Sequence, residues 1–329
     1  MAKIFVTRKI PGSALDKLKG SGNEVVVSEF DRPLTSEELL ESARGFDALL
    51  CLLTDRIDGE VLDALGPQLK IVSNYAVGFD NIKVEEATER GVLVTNTPSE
   101  VINESVSEFA WTLMLALAKR VVEADESTRR GAYKGWEPST FLGVNMVGKT
   151  LGILGMGRIG GLTARRALGW NMKVLYYKRS RDEAAEKELE VEYADLDRLY
   201  QESDFISVHV PLTDETRHMI NKIAFDKMKK GVIVVNTARG PIIDEGDLVR
   251  AIREGKVGGA GLDVFDNEPN INPELINMEN VILTPHIASA TNEAREEYGN
   301  LAVNAILDAL TGKKPQNLVN EEVWERRKK

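Results

Sequence analysis

At 329 residues, with a net charge of −10, the chain is too long for one ordinary core and suits two domains. The acidity, with a pI near 5.1, argues against nucleic acid as a partner, though an anionic small molecule needs only a locally positive surface. A single cysteine, Cys51 in the apolar run ALLCLLT, excludes an intrachain disulfide framework and reads as a small buried hydrophobe.

The chain enters a short strand directly, without the apolar core and cleavage site of a secretory leader, so a cytoplasmic location is expected. Five β-rich runs follow: KIFVTR (3–8), EVVVSEF (24–30), ALLCLLT (48–54), KIVSNYA (70–76) and VLVTN (92–96). Helical patterns such as TSEELLESA and VEEATERG separate them, and this alternation implies βαβ units on a parallel sheet. Gly78 interrupts NYAVGFDNI (74–82). The N–H groups of Val77 and Gly78 form a candidate anion nest there, and an ordinary strand-to-helix turn fits the same residues equally well.

One long helical region is expected from about Glu100 through Arg130. Its middle, SEFAWTLMLALAKRVVEA, is apolar nearly all round and calls for burial against another domain or a second subunit. The apolar stretch Phe109 to Ala118 falls far short of the ~20 residues that span a membrane, so no membrane partner is expected. The segment RRGAYKGWEPSTFLGVNMVGK carries glycines, a proline and aromatics, as a contact loop would.

A second series of strands begins at Thr150: TLGILG, KVLYYK, FISVHV (205–210), VIVVNTA (232–238), GAGLDVF (259–265) and VILTPH (281–286). After the first of these, Gly155, Gly157 and Gly160 supply the G-x-G-x-x-G spacing and a helix opens near Arg158. The first glycine permits a tight turn, the second admits a pyrophosphate, and the third allows close helix–strand packing. Free N–H groups and the positive dipole end of the helix favour the phosphates. The second strand ends on Lys178, Arg179, Ser180 and Arg181, where NAD sites usually carry an acid. Cations there neutralise a 2′-phosphate, so NADP(H) is the expected cofactor, with NAD(H) as the alternative; a solvated basic loop is the structural reading.

Arg239 in NTARG, Glu268 in DVFDNEP and His286 in TPHIASAT follow the last three strands, and ligands bind at such carboxyl ends in open α/β sheets. Arg239 can hold a carboxylate, His286 can exchange a proton, and Glu268 beside the imidazole would favour its charged form. Taken singly, they also fit a helix-entry ion pair, a loop acid and a core histidine. Jointly, beside a cofactor fingerprint, they point to chemistry. Of the other histidines, His209 is expected to pack near the adenosine end and His218 to lie on the surface at a helix start; neither is taken as a catalyst. No metal site is expected.

With GMGRIG, NTARG, GLDVFDNEP and TPHIASA in order, the chain resembles the D-isomer-specific 2-hydroxyacid dehydrogenases along essentially its whole length. LLCLLTDRID, NYAVGFDNI and the basic loop bring it nearest the glyoxylate/hydroxypyruvate reductase branch, while INESVSEFA leans toward other branches. The resemblance implies two doubly wound parallel-sheet domains: a flavodoxin-like substrate domain (1–98 and 289–329) and a Rossmann cofactor domain (99–288), with a dimerisation helix and loop at about 100–146. It implies NADPH-dependent reduction of a small anionic 2-oxoacid by a homodimer. Arg239 would anchor the substrate carboxylate, Glu268 would partner the proton donor His286, and Asp263 would lie near the nicotinamide carboxamide. On the same architecture, Met156, Arg158, Ile159, Val210, Pro211, Thr237 and Ala238 are expected to meet the cofactor, and Leu53 and Ser289 the substrate. The rivals are an NAD-dependent D-lactate-type dehydrogenase and a nucleotide-sensing, corepressor-like binding protein.

Overall fold

The structure is a computed structural model that describes residues 1–327. The chain parts into two compact units, Met1–Ile102 with the chain from Ala290 onward, and Asn103–Ser289.

In the first unit, β1 (Lys3–Val6), β2 (Glu24–Val27), β3 (Ala48–Cys51), β4 (Ile71–Asn74) and β5 (Leu93–Thr95) form one parallel sheet in the order β2-β1-β3-β4-β5. That is the flavodoxin-like order. The central strands β3 and β4 are buried throughout, as expected of apolar runs in a sheet covered on both faces. Ile4, Val6, Leu50 and Leu93 pack with Tyr298, Val303 and Ile306 of the Asn292–Leu310 helix. Phe5, Leu49, Cys51 and Val94 pack on the other face with Val61, Leu62 and Leu65. All five expected strands form, each ending before its apolar run does; the trailing residues become the loops that carry the candidate site positions.

The second unit holds a seven-stranded parallel sheet: β6 (Thr150–Leu154), β7 (Lys173–Tyr177), β8 (Glu192–Tyr193), β9 (Phe205–Val208), β10 (Val232–Asn236), β11 (Val257–Leu262) and β12 (Val281–Leu283). Its order, β12-β11-β10-β9-β6-β7-β8, is the dinucleotide-binding order with β12 added at one edge, and it reverses between β6 and β9. β8 was not expected: two residues of Glu-Tyr are too short to show a period.

The single long helix expected from Glu100 to Arg130 is two helices, Glu100–Ala118 and Val121–Arg129. At the break, Arg120 adopts φ 54° and its guanidinium pairs with Glu123, while the Ala118 carbonyl accepts the Val144 N–H at 2.8 Å. The loop thus takes up the carbonyl that another helical turn would have used. The burial of 109–118 is corrected as well. Trp111, Leu113, Met114 and Leu117 pack against Leu151, Ile153, Phe205 and Val235 of the sheet in their own unit, so the apolar segment needs no second subunit to cover it.

Candidate active site

Three adjacent strands of the second sheet end at one level, because Asn236 of β10 pairs with Leu262 of β11, which pairs with Leu283 of β12. Backbone bonds continue beyond the strands: Asp263 N–H to the Asn236 carbonyl (3.0 Å), Thr284 N–H to Leu262 (3.0 Å) and His286 N–H to Asp263 (2.9 Å). Parallel register therefore brings Arg239, Glu268 and His286, far apart in sequence, to one edge. His286 Nδ1 lies 3.0 Å from Glu268 Oε2. Burial raises the Glu268 carboxyl, but the hydrogen bond and charge of His286, the Phe265 N–H at 3.1 Å and the nearby Arg239 hold it below the usual carboxylate range. The three groups share one electrostatic environment.

Each is held by its backbone. His286 sits at φ 54°, a left-handed conformation that costs a non-glycine residue roughly 1 kcal/mol or more. Asp263 holds that turn. Fully buried, it accepts from the Thr284 hydroxyl (2.6 Å) and from the N–H groups of Ile287 and Ala288 (both 2.8 Å), while burial pushes its carboxyl up. These bonds use three of a carboxylate's roughly four acceptor positions, leaving one for the expected carboxamide. Asn236, which the sequence reading passed over, closes the NTARG turn: its amide donates to the Arg239 carbonyl (2.8 Å) and its oxygen accepts from the Ala238 N–H (3.0 Å). Arg239 Nη1 donates to the Ala238 carbonyl at 2.8 Å.

The glycine turn behaves as its spacing predicts. Gly155 lies at φ 101°, and a Cβ on it would fall 2.7 Å from the His209 and Val210 backbone. At Gly160 a Cβ would strike the Gly155 carbonyl at 2.1 Å. At Gly157 a Cβ would meet nothing within 4 Å, so this position opens onto free space. Gly157 caps the Arg158–Ala167 helix without a side-chain hydrogen bond, leaving its first-turn N–H groups for an anion, and Arg158 is exposed with Ile159 half-buried. Met156 turns its side chain into the core. The Thr237 hydroxyl is buried without a partner among the described residues. An open glycine, an uncapped helix and an orphaned hydroxyl fit a bound dinucleotide.

Beyond β7 the basic loop is partly neutralised. Lys178 pairs with Asp182 at 3.0 Å and Arg181 with Glu186 at 2.7 Å, leaving Arg179 and Ser180 exposed. Val210 is buried and Pro211 exposed just after β9. His209 bonds Ser207 at 2.8 Å, and burial lowers it to about 4, so it stays neutral near pH 7. His218 departs from the sequence reading. It is part-exposed, as a surface position would be, but in place of a helix start it occupies a left-handed turn (φ 51°) with Asp244 and Asp266 each 3.7 Å from its ring.

In the first unit, Leu53 is exposed after β3 and Val77 and Gly78 follow β4. Asn74 donates to the Gly78 carbonyl (2.8 Å) and Asn96 to that of Val77 (2.6 Å), which fixes both peptides. Ser289, half-buried, ends the second unit.

The model of the D-isomer specific 2-hydroxyacid dehydrogenase NAD-binding domain matches residues 111–288. This chain belongs to that family. It is 49% identical to a glyoxylate reductase of Thermococcus kodakarensis over 99% of this chain and 98% of that protein. Among solved structures, a glyoxylate reductase from Paecilomyes thermophila superposes with a TM-score of 0.87 at 32% identity, covering 98% of this chain and 99% of that one. An NADPH-dependent glyoxylate/hydroxypyruvate reductase from Sinorhizobium meliloti, in complex with NADP and malonate, gives 0.85 at 30% identity over 97% of each chain. The protein is an NAD(P)-dependent dehydrogenase of this family, as the four ordered motifs implied. Among the described residues, no helix is long and apolar enough to cross a membrane.

Proposed function

We propose that this dehydrogenase reduces glyoxylate or hydroxypyruvate to the 2-hydroxy acid with NADPH. The observation that carries the reading is the His286–Glu268 pair on a strand end beside Arg239. A bound nicotinamide supplies the hydride that reduces the oxo carbon. Arg239 takes the substrate carboxylate in two parallel N–H bonds and draws electron density from the adjacent carbonyl. His286 releases the proton that the carbonyl oxygen needs to become a hydroxyl. Glu268 fixes the ring and stabilises the imidazolium before that transfer. The substrate's remaining contacts fall to Leu53, the Val77–Gly78 backbone and Ser289, and Asp263 offers its last acceptor position to the carboxamide.

The second unit is the cofactor domain in this reading and the first the substrate domain. Gly155 to Gly160 hold the pyrophosphate, with Val210, Pro211, Thr237 and Ala238 along the dinucleotide. Arg179 and Ser180 meet the 2′-phosphate, and Lys178 adds less because Asp182 already neutralises it. The S. meliloti relative, described as NADPH-dependent, supports this preference. Exposed Tyr133, Trp136 and Leu142 in the loop after the paired helices offer the apolar surface of a homodimer.

Loss of reduced-nicotinamide absorbance, followed with a panel of 2-oxoacids and with both NADPH and NADH, tests the reading. Glyoxylate and hydroxypyruvate should be consumed, faster with NADPH; a protein inert toward both overturns it. Arg179→Asp should weaken NADPH binding more than tenfold, the worth of a charged hydrogen bond, and NADH binding little. Equal losses would detach the loop from the 2′-phosphate.

A further inference from the structure

His218 touches segments that carry two of the candidate catalytic groups. Its N–H donates to the Pro241 carbonyl at 2.8 Å, two residues beyond Arg239. Its Nδ1 lies 3.7 Å from Asp244 Oδ2, and its Nε2 lies 3.7 Å from Asp266 Oδ1, two residues before Glu268. At that separation neither contact is a direct hydrogen bond, and each becomes an ion pair only when the ring is protonated. Nε2 itself is buried and has no hydrogen-bond partner among the described residues.

The junction around it is acidic and tightly built. Glu245 accepts the Asp266 N–H at 2.9 Å; burial pushes its carboxyl up, and nearby Asp266 and Asp244 add to that. Asp244 caps the Glu245–Arg253 helix through the Asp247 N–H and donates its own N–H to the Ile220 carbonyl. Arg250, the nearest cation on that helix, pairs with Asp226 and Glu254. The two site-bearing segments also meet backbone to backbone: a Cβ on Gly240 would fall 1.9 Å from the Phe265 carbonyl. Three carboxylates therefore converge where the Arg239 turn presses on the Glu268 loop, with one imidazole between two of them.

We propose that His218 is a positioning residue whose ring, when it carries its second proton, draws Asp244 and Asp266 together and so sets the spacing between the Arg239 turn and the Glu268 loop. The inference rests on the proposed roles of Arg239, Glu268 and His286. Without the cation, repulsion among Asp244, Glu245 and Asp266 opens the junction, and Glu268 moves away from His286.

The test is a charge rescue. Asn tolerates the left-handed backbone of position 218 and carries no charge, so His218→Asn removes the imidazole while keeping the turn. It should lower kcat roughly three- to thirtyfold, the span of an indirect coupling, with NADPH affinity unchanged. Adding Asp266→Asn removes the repulsion and should restore kcat to within about threefold of the parent, a non-additivity that neighbouring charges produce. An unaffected single variant, or a double variant as slow as the single one, overturns the proposal. A readout independent of turnover is the NMR signal of the His286 Nδ1 proton, assignable because the chain has only three histidines. The signal should weaken in His218→Asn and return in the double variant, whatever substrate the enzyme takes. If the signal follows that pattern while no 2-oxoacid is reduced, the clamp stands and only the substrate reading fails. A signal unmoved in His218→Asn overturns the clamp.

Discussion

The carboxyl edges of the two sheets are built alike and equipped differently. In the first unit, neutral amides knit the loops after β3 and β4. Asn81 donates to the carbonyls of Leu52 (3.2 Å) and Asp55 (3.0 Å), and Asn74 donates to Gly78 and to the Asn81 side chain. Among the acids there, Asp55 is buried against the Thr7 hydroxyl and the Leu52 N–H, and burial pushes its carboxyl up, while Asp58 pairs with Arg56 at 3.0 Å. In the second unit, Asn236 does the same closing work, but the neighbouring loops add a cation, a depressed carboxylate and a left-handed histidine. Loop locking is common to both edges. The imidazole–carboxylate pair belongs to the second. In the proposed reading, substrate placement falls to the first edge and proton transfer to the second.

The sharpest way to break that division is His286→Ala. Loss of a general acid should cut kcat by about 10²- to 10⁴-fold while NADPH affinity, measured by fluorescence titration, stays nearly constant. A variant turning over at the parental rate removes His286 from the reaction. A smaller effect is expected from Asn81→Ala, which frees two carbonyls behind the first edge. KM for the oxoacid should rise about tenfold with kcat largely kept, since roughly 1 kcal/mol attaches to each bond. A fall in kcat with KM unmoved would put catalysis in the first unit as well. The smallest effect is on stability in acid. Glu268 has a lowered carboxyl, so its contribution is present above the ordinary glutamate value, about 4.3, and is lost as pH falls through its own lower one. The Tm gap between the parent and Glu268→Gln should be open at neutral pH and close in strong acid. A gap that widens as pH falls would reverse the sign of the Glu268 interaction.

Much of this was legible from the residues. Alternating β-branched runs placed eleven of the twelve strands, and the glycine spacing located a turn whose three positions play separable steric parts. The trio was visible because each member follows an apolar run. Asn74, Asn81 and Asn236 were passed over because an asparagine near a turn looks the same whether it locks a loop or faces water. The break at Arg120 was hidden because the residues that end the helix lie at Gly143 and Val144. The junction around His218 draws on three separate segments, and no local pattern announces it.

Hydrophobic period and glycine spacing are properties of neighbouring residues, so the order of residues alone determined the element types, the doubly wound class and the cofactor turn. Tertiary structure decided what meets across long separations: the common level of β10, β11 and β12, the left-handed turn at His286 and the carboxylate that holds it. Those depend on parallel register and buried hydrogen bonds between remote segments, which exist only once the chain has closed on itself.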